Sequence, residues 1–163
     1  DYSKKSGLNI IALRYFSIYG PGMKLSYGLT GEVLQSALNG GFLKLNACED
    51  MERDFTYIDD AVEASLLCLQ RPMSGFEIFN IANGTSYRIA DLIRIIEKHR
   101  AKRLDIRYEH ILKGMVLKTQ ADISRAIRLL SYRPKTNLED GLKVTFHWFQ
   151  NERLQNETAK SKN

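Results

Sequence analysis

Leu8-Asn9-Ile10-Ile11-Ala12-Leu13-Arg14-Tyr15-Phe16 is a nearly continuous apolar run of strand length, followed at once by Ser17-Ile18-Tyr19-Gly20-Pro21-Gly22. Such a run suits a parallel sheet covered on both sides, so it predicts a buried strand. The Gly-Pro-Gly cluster then breaks regular structure, and the stretch to Gly28 is predicted as a loop, a common place for site residues. From Thr30 to Leu38, the residues Val33, Leu34, Ala37 and Leu38 recur at helical spacing before Asn39-Gly40-Gly41 stops the helix.

Further along, Phe42 to Leu45 and Phe55 to Ile58 read as short strands on either side of the polar turn Glu49-Asp50-Met51-Glu52. Asp59 or Asp60 is placed to cap a helix running to Leu69. Adjacent carboxylates point in different directions, so capping explains this pair better than an acid/base dyad. Phe76 to Ala82 is a strand ended by Asn83-Gly84, and Thr85 or Ser86 precedes a helix with Ile89, Leu92, Ile93 and Ile96 on one stripe. That stripe predicts docking against a sheet. Leu104 to Tyr108 alternates as a strand, Asp122 opens a helix carrying Ala126 and Leu130, and Thr136 or Asn137 opens the last helix. From Asn151 to Asn163 the only large apolar residue is Leu154, so this tail is predicted to be disordered. Strands alternating with helices argue for an α/β or α+β fold.

Composition narrows the function classes. The chain has 163 residues, a net charge of +5, 44% apolar and 26% charged residues, an ordinary globular balance. A chain of this length buries roughly 70% of its unfolded surface, so it needs no metal or disulfide to supply a core. Cys48 and Cys68 form no C-x-x-C pair, which suits reduced thiols in a cytoplasmic protein. The longest apolar patch, Ile58 to Leu69, is broken by Asp59, Asp60 and Glu63, so no membrane span is expected. Asp1-Tyr2-Ser3-Lys4-Lys5 has neither an initiator Met nor a signal-peptide core and reads as a start in mid-protein. Lys98, Arg100, Lys102 and Arg103 cluster where cations complement a helix end, without interleaved aromatics, so nucleic acid is not an expected partner.

Familiar catalytic patterns are missing from these residues. His99, His110 and His147 lie in no metal-ligand spacing, so no metal is expected, and there is no G-x-S-x-G elbow. Gly20-Pro21-Gly22-Met23-Lys24-Leu25 begins like G-x-G-x-x-G but lacks the third glycine, and its proline removes a backbone N–H. No tyrosine is followed four positions later by lysine, the spacing that would put a phenol and an ammonium on one helical face.

Three segments carry more information together than singly: Arg14-Tyr15-Phe16-Ser17-Ile18-Tyr19-Gly20-Pro21-Gly22, Arg53-Asp54-Phe55-Thr56-Tyr57-Ile58-Asp59-Asp60 and Phe79-Asn80-Ile81-Ala82-Asn83-Gly84. With Lys118 to Ala126 and Tyr132 to Thr136, they make residues 1–150 resemble the carboxy-terminal part of the extended short-chain dehydrogenase/reductase family. Within it, the chain resembles the NAD-dependent nucleotide-sugar epimerases and dehydratases, with the UDP-glucuronate 4-epimerase-like branch nearest. The resemblance implies an α/β fold: a late strand of a Rossmann-like parallel sheet plus the smaller α/β substrate-binding lobe. Residues 1–22 would end the NAD-binding domain, 23–150 would form the substrate lobe interleaved with Rossmann elements, and 151–163 the polar tail. It further implies an enzyme about twice this length, its first half holding the glycine-rich NAD loop and the Tyr-x-x-x-Lys pair, so this chain alone would be inactive.

By the same resemblance, Phe16 would contact the nicotinamide end of NAD. Ser17 stands where relatives often carry an Asn that bonds the diphosphate or sugar. Lys44, Leu45 and Asn46 would run along the nucleotide base, with a plain edge strand equally open. Arg53 would hold the diphosphate through its bidentate guanidinium, the alternative being a salt bridge to Glu52 or Asp54. No catalytic residue is assigned. Leu112 and Met115 replace polar residues that frame the diphosphate in relatives, with Lys113 as a possible substitute, and Leu25-Ser26-Tyr27 replaces an Arg-Pro-Asp type of stretch. The implied function is the nucleotide-sugar-binding part of an NAD-dependent epimerase, with a UDP-sugar as partner and a homodimer at full length. A 4,6-dehydratase or decarboxylase, and a non-catalytic remnant or binding module, stay open.

Overall fold

The computed structural model describes residues 2–109 and 114–160. In chain order the elements are α1 (Tyr2–Ser6), β1 (Ile10–Tyr15), β2 (Ile18–Tyr19), α2 (Gly28–Asn39), β3 (Phe42–Leu45), β4 (Glu52–Asp54), β5 (Thr56–Tyr57) and α3 (Ile58–Gln70). There follow β6 (Phe76–Ile81), β7 (Ser86–Arg88), α4 (Ile89–Arg100), β8 (Asp105–Tyr108), α5 (Ser124–Leu130) and α6 (Leu138–Lys160).

Two hydrophobic cores divide these elements. In the first, β1 and β6 pair in parallel from Ile10↔Phe76 to Tyr15↔Ile81. Alternation along the strands puts Ile11, Leu13, Phe79 and Ile81 against Ala61, Ala64 and Cys68 of α3 and Ala126 and Leu130 of α5. The strand expectation at Leu8 to Phe16 therefore holds, but its full burial does not. Residues 10–13 are half-buried and Tyr15 is exposed, because only one face of the pair meets the helices.

In the second core, α2, α4 and α6 pack against one another around Val33, Leu34, Ile89, Leu92, Ile96, Leu142 and Phe146. Its rim carries three two-stranded pairs: β2 with β5 and β3 with β8, both parallel, and β4 with β7, antiparallel. The apolar stripe of α4 is buried as expected, yet its principal neighbours are the helices α2 and α6 rather than a sheet. Helices can pack so closely beside β2 because Gly141 of α6 has no side chain. A Cβ there would stand 2.1 Å from the Tyr19 hydroxyl oxygen.

Both capping expectations at the Asp59-Asp60 pair and at Asn137 meet a structural answer. Asn137 accepts from the backbone N–H of Asp140 (2.9 Å) and so caps α6. Asp60 instead leaves its own helix uncapped; its buried carboxylate accepts from the N–H groups of Lys135 (2.9 Å) and Thr136 (3.1 Å), tying the entry of α6 to α3. The polar tail predicted to be disordered from Asn151 is helical to Lys160. Extending an existing helix needs no new nucleus, Glu152, Arg153 and Gln155 are good helix formers, and Arg153 Nη1 donates to Leu38 O (2.6 Å). None of the helices among the described residues is long and apolar enough to cross a membrane.

Candidate functional site

At the end of β1 the chain turns through an unusual backbone. Ser17 has φ 26°, a left-handed conformation that costs a residue with a Cβ about 1–2 kcal/mol. Thr56 holds it there: its N–H donates to Ser17 O (3.2 Å) and its hydroxyl donates to Phe16 O (2.5 Å). Three residues on, a Cβ at Gly20 would lie 2.3 Å from Ile58 Cγ2, so only glycine lets the loop pass the start of α3. The Tyr-Gly-Pro sequence thus has a steric reason beyond breaking a strand.

Beyond that loop α2 starts without a cap. Its N-cap residue is Tyr27, whose side chain bonds no backbone N–H, and no acidic residue stands in the first turn. The partial positive charge at this helix end is therefore unanswered from within the helix. Gly28, Leu29 and Thr30 of that turn line a cleft of about 640 Å³ together with Ser17 and Arg53.

Arg53 enters the cleft from β4 in a fixed pose. Its Nη1 donates to Glu52 O (2.7 Å) and Leu117 O (3.3 Å), and its Nη2 to Val116 O (2.8 Å). The salt-bridge alternatives fail because both neighbouring carboxylates are occupied elsewhere. Glu52 pairs with Lys118 Nζ (2.8 Å) and accepts from Ser86 Oγ, and these bonds hold its carboxyl below the usual range. Asp54, fully buried, accepts from the N–H groups of Asn83 (2.9 Å), Gly84 (3.1 Å) and Ala121 (3.1 Å). Burial pushes its carboxyl up, against the lowering effect of those three donors. Among the described ion pairs, no carboxylate faces the Arg53 charge.

The remaining candidates go elsewhere. Phe16 is half-buried and outside the cleft lining. Lys44 and Asn46 line a second groove, of about 390 Å³, that reaches the other end of α2 at Asn39 and Gly40, and Lys44 pairs with Glu109 (3.3 Å). Leu45, one step out of phase with them on the strand, has its side chain fully buried in the second core. Met115 packs against that core from its edge. His110, Leu112 and Lys113 lie outside the described residues. The sequence reading missed Tyr15, Tyr27 and the first turn of α2 as cleft residues; the signal available was a helix start after a Gly-Pro loop with no Ser, Thr, Asp or Asn at its cap. Among the described residues no group of three His, Cys, Asp or Glu is placed to hold a metal.

The model of the NAD dependent epimerase/dehydratase family matches residues 1–82. The UDP-glucuronate 4-epimerase of Thermodesulfobacterium geofontis is 33% identical over 148 residues, covering 90% of this chain and 45% of that protein. The structure of UDP-glucuronic acid 4-epimerase from Bacillus cereus in complex with UDP-glucuronic acid and NAD aligns with a TM-score of 0.81 at 30% identity, over 92% of this chain and 48% of that one. UDP-glucose 4-epimerase from Thermotoga maritima, solved with UDP-glucose, aligns with a TM-score of 0.85 at 28% identity, over 93% and 49%. The chain thus spans about half the length of the relatives it matches.

Proposed function

Since the chain belongs to the NAD dependent epimerase/dehydratase family, we propose that it forms the nucleotide-sugar-binding part of an NAD-dependent sugar-nucleotide epimerase. The mixed α/β architecture with parallel strands is that of the epimerases it aligns with, whose fold is Rossmann-like. The observation that carries the proposal is the convergence of Arg53, Ser17 and the uncapped amino end of α2 on one cleft. A fixed guanidinium with no facing carboxylate, beside free helix-end dipole, is complementary to a diphosphate. The aligned epimerases were solved with UDP-glucose and with UDP-glucuronic acid, which makes a UDP-sugar the ligand to expect.

NAD would supply the hydride acceptor and donor of an epimerisation. The residues here fit its nicotinamide end in one respect: Phe16, a half-buried apolar ring, follows the carboxyl end of a parallel strand, where such folds bind cofactors. The 163 residues include neither a Tyr-x-x-x-Lys pair nor a complete glycine-rich loop, so this chain's share is binding and orientation. The proposal extends to a cytoplasmic homodimer. Calorimetric titration with UDP, with uridine as control, tests it. We expect UDP to bind, uridine to bind far more weakly, and Arg53→Ala to abolish most of the difference; equal binding of UDP and uridine overturns it.

A further inference from the structure

Among the described residues, three other than glycine have positive φ. Two of them, Ala101 and Ser131, are the C-caps of α4 and α5, where a left-handed residue is ordinary. Ser17 ends no helix. It stands where the chain leaves β1, paired with β6, for β2, paired with β5. Backbone in so sparsely populated a region clusters at binding sites and persists only where its surroundings enforce it. Here the enforcement comes from two sides. The Phe16 N–H donates to Ile81 O (3.1 Å), in continuation of the β1–β6 pair. Thr56 takes the carbonyls on either side of the Ser17 Cα, Phe16 O through its hydroxyl (2.5 Å) and Ser17 O through its N–H (3.2 Å).

Thr56 is fully buried and belongs to the segment that also carries the arginine. Alternate residues of that segment have separate tasks, as the two-residue period of extended chain allows. Arg53 and Phe55 line the cleft. Asp54 and Thr56 are buried and bond distant backbone, Asp54 at 83, 84 and 121 and Thr56 at 16 and 17. One short segment therefore presents Arg53 and sets the turn that brings Ser17 to the same cleft. Resting on the diphosphate reading above, we propose that Thr56 is a positioning residue of this cleft, its hydroxyl holding Ser17 in the left-handed turn that ligand binding requires. A serine released from that bond favours negative φ about tenfold. The fraction of molecules left in the binding geometry then sets the apparent affinity.

The test is calorimetric titration of the 163-residue chain and its variants with UDP, with thermal melting to confirm that each variant folds. Thr56→Val keeps the shape and removes the donor, and should weaken UDP binding about tenfold. Thr56→Ser keeps the donor and should bind UDP within about twofold of the unaltered chain. Glycine adopts the left-handed turn without a Cβ, so in a Ser17→Gly background the same Thr56→Val change should cost less than about threefold. UDP binding unchanged in a folded Thr56→Val chain overturns the inference, as does an equal loss in both backgrounds. Should Thr56→Val not fold, a tenfold loss in Thr56→Ser overturns it and retained binding there supports it. If the unaltered chain binds UDP no better than uridine, the diphosphate reading falls and takes this inference with it.

Discussion

The two ends of α2 open onto two grooves of opposite character. At the carboxyl end, the Gly40 N–H returns to Ser36 O (2.9 Å), Arg153 covers Leu38 O (2.6 Å), and Lys44 in the adjoining groove is matched by Glu109. At the amino end, the first turn has no cap and no acid, and Arg53 faces no carboxylate. Lys44 and Arg53 are thus the same charge at opposite ends of one helix, one paired with a carboxylate and the other, among the described residues, held only by backbone carbonyls. A binding group is recognised less by its residue type than by what the fold leaves unmatched around it.

The largest effect should come from removing the scaffold behind the open end. Asp54→Ala strands the N–H groups of Asn83, Gly84 and Ala121 and should destabilise the chain by about 3–5 kcal/mol, lowering its melting temperature by roughly 10 °C in a calorimetric scan. Arg53→Ala gives up three bonds to backbone carbonyls and should lower melting by less than Asp54→Ala does, while weakening UDP binding about 10- to 100-fold, the value of charge-assisted bonds to a phosphate. Lys44→Ala should change UDP affinity by less than about twofold, since a surface pair is worth little. A comparable loss from both variants would erase the distinction between the two ends.

Capping the open end should separate stability from binding. Tyr27→Asp adds a side-chain acceptor for the first-turn N–H groups and should raise stability by about 1 kcal/mol while weakening UDP binding, because its charge repels the diphosphate. Gain of stability with unchanged UDP affinity would show that no anion uses this helix end.

The smallest effect concerns pH. His99, in the last turn of α4, has a buried Nε2 with no hydrogen-bond partner among the described residues, and its ring lies 6.0 Å from that of His147. Burial, followed by His147 and Lys98, lowers its pKa below the usual value, with Glu139 opposing. The folded state therefore binds this proton less readily than the unfolded state. Its contribution is fully present above the unfolded pKa of about 6.5 and is lost as pH falls through the lower folded value. Urea unfolding between pH 7.5 and 5 should show stability falling on acidification, with a shallower slope in His99→Gln.

Much of the fold was legible because local patterns carried it. The Ile10–Tyr15 strand, the Phe42–Leu45 strand, the stripe of α4 and the Asn137 cap all follow from period and capping chemistry within a few residues. Arg53 and Ser17 were legible only through the family-like motifs around them. The burial of Leu45 was not legible because it depends on which face of β3 meets the second core, and Lys44 and Asn46 line a groove separate from Arg53. The helical course of residues 151–160 escaped a compositional reading because it extends a helix anchored elsewhere.

By itself the sequence determined the alternation of strands and helices, the loop at Gly20-Pro21-Gly22 and the presence of an arginine beside two acids. Those follow from interactions between near neighbours, which the order of residues specifies directly. Only the tertiary structure decided which charge stayed unmatched. Glu52 is claimed by Lys118, 66 positions away, and Asp54 by N–H groups at 83, 84 and 121, leaving Arg53 to the cleft. Charges separated by that much chain are paired by packing, and packing is a property of the folded whole.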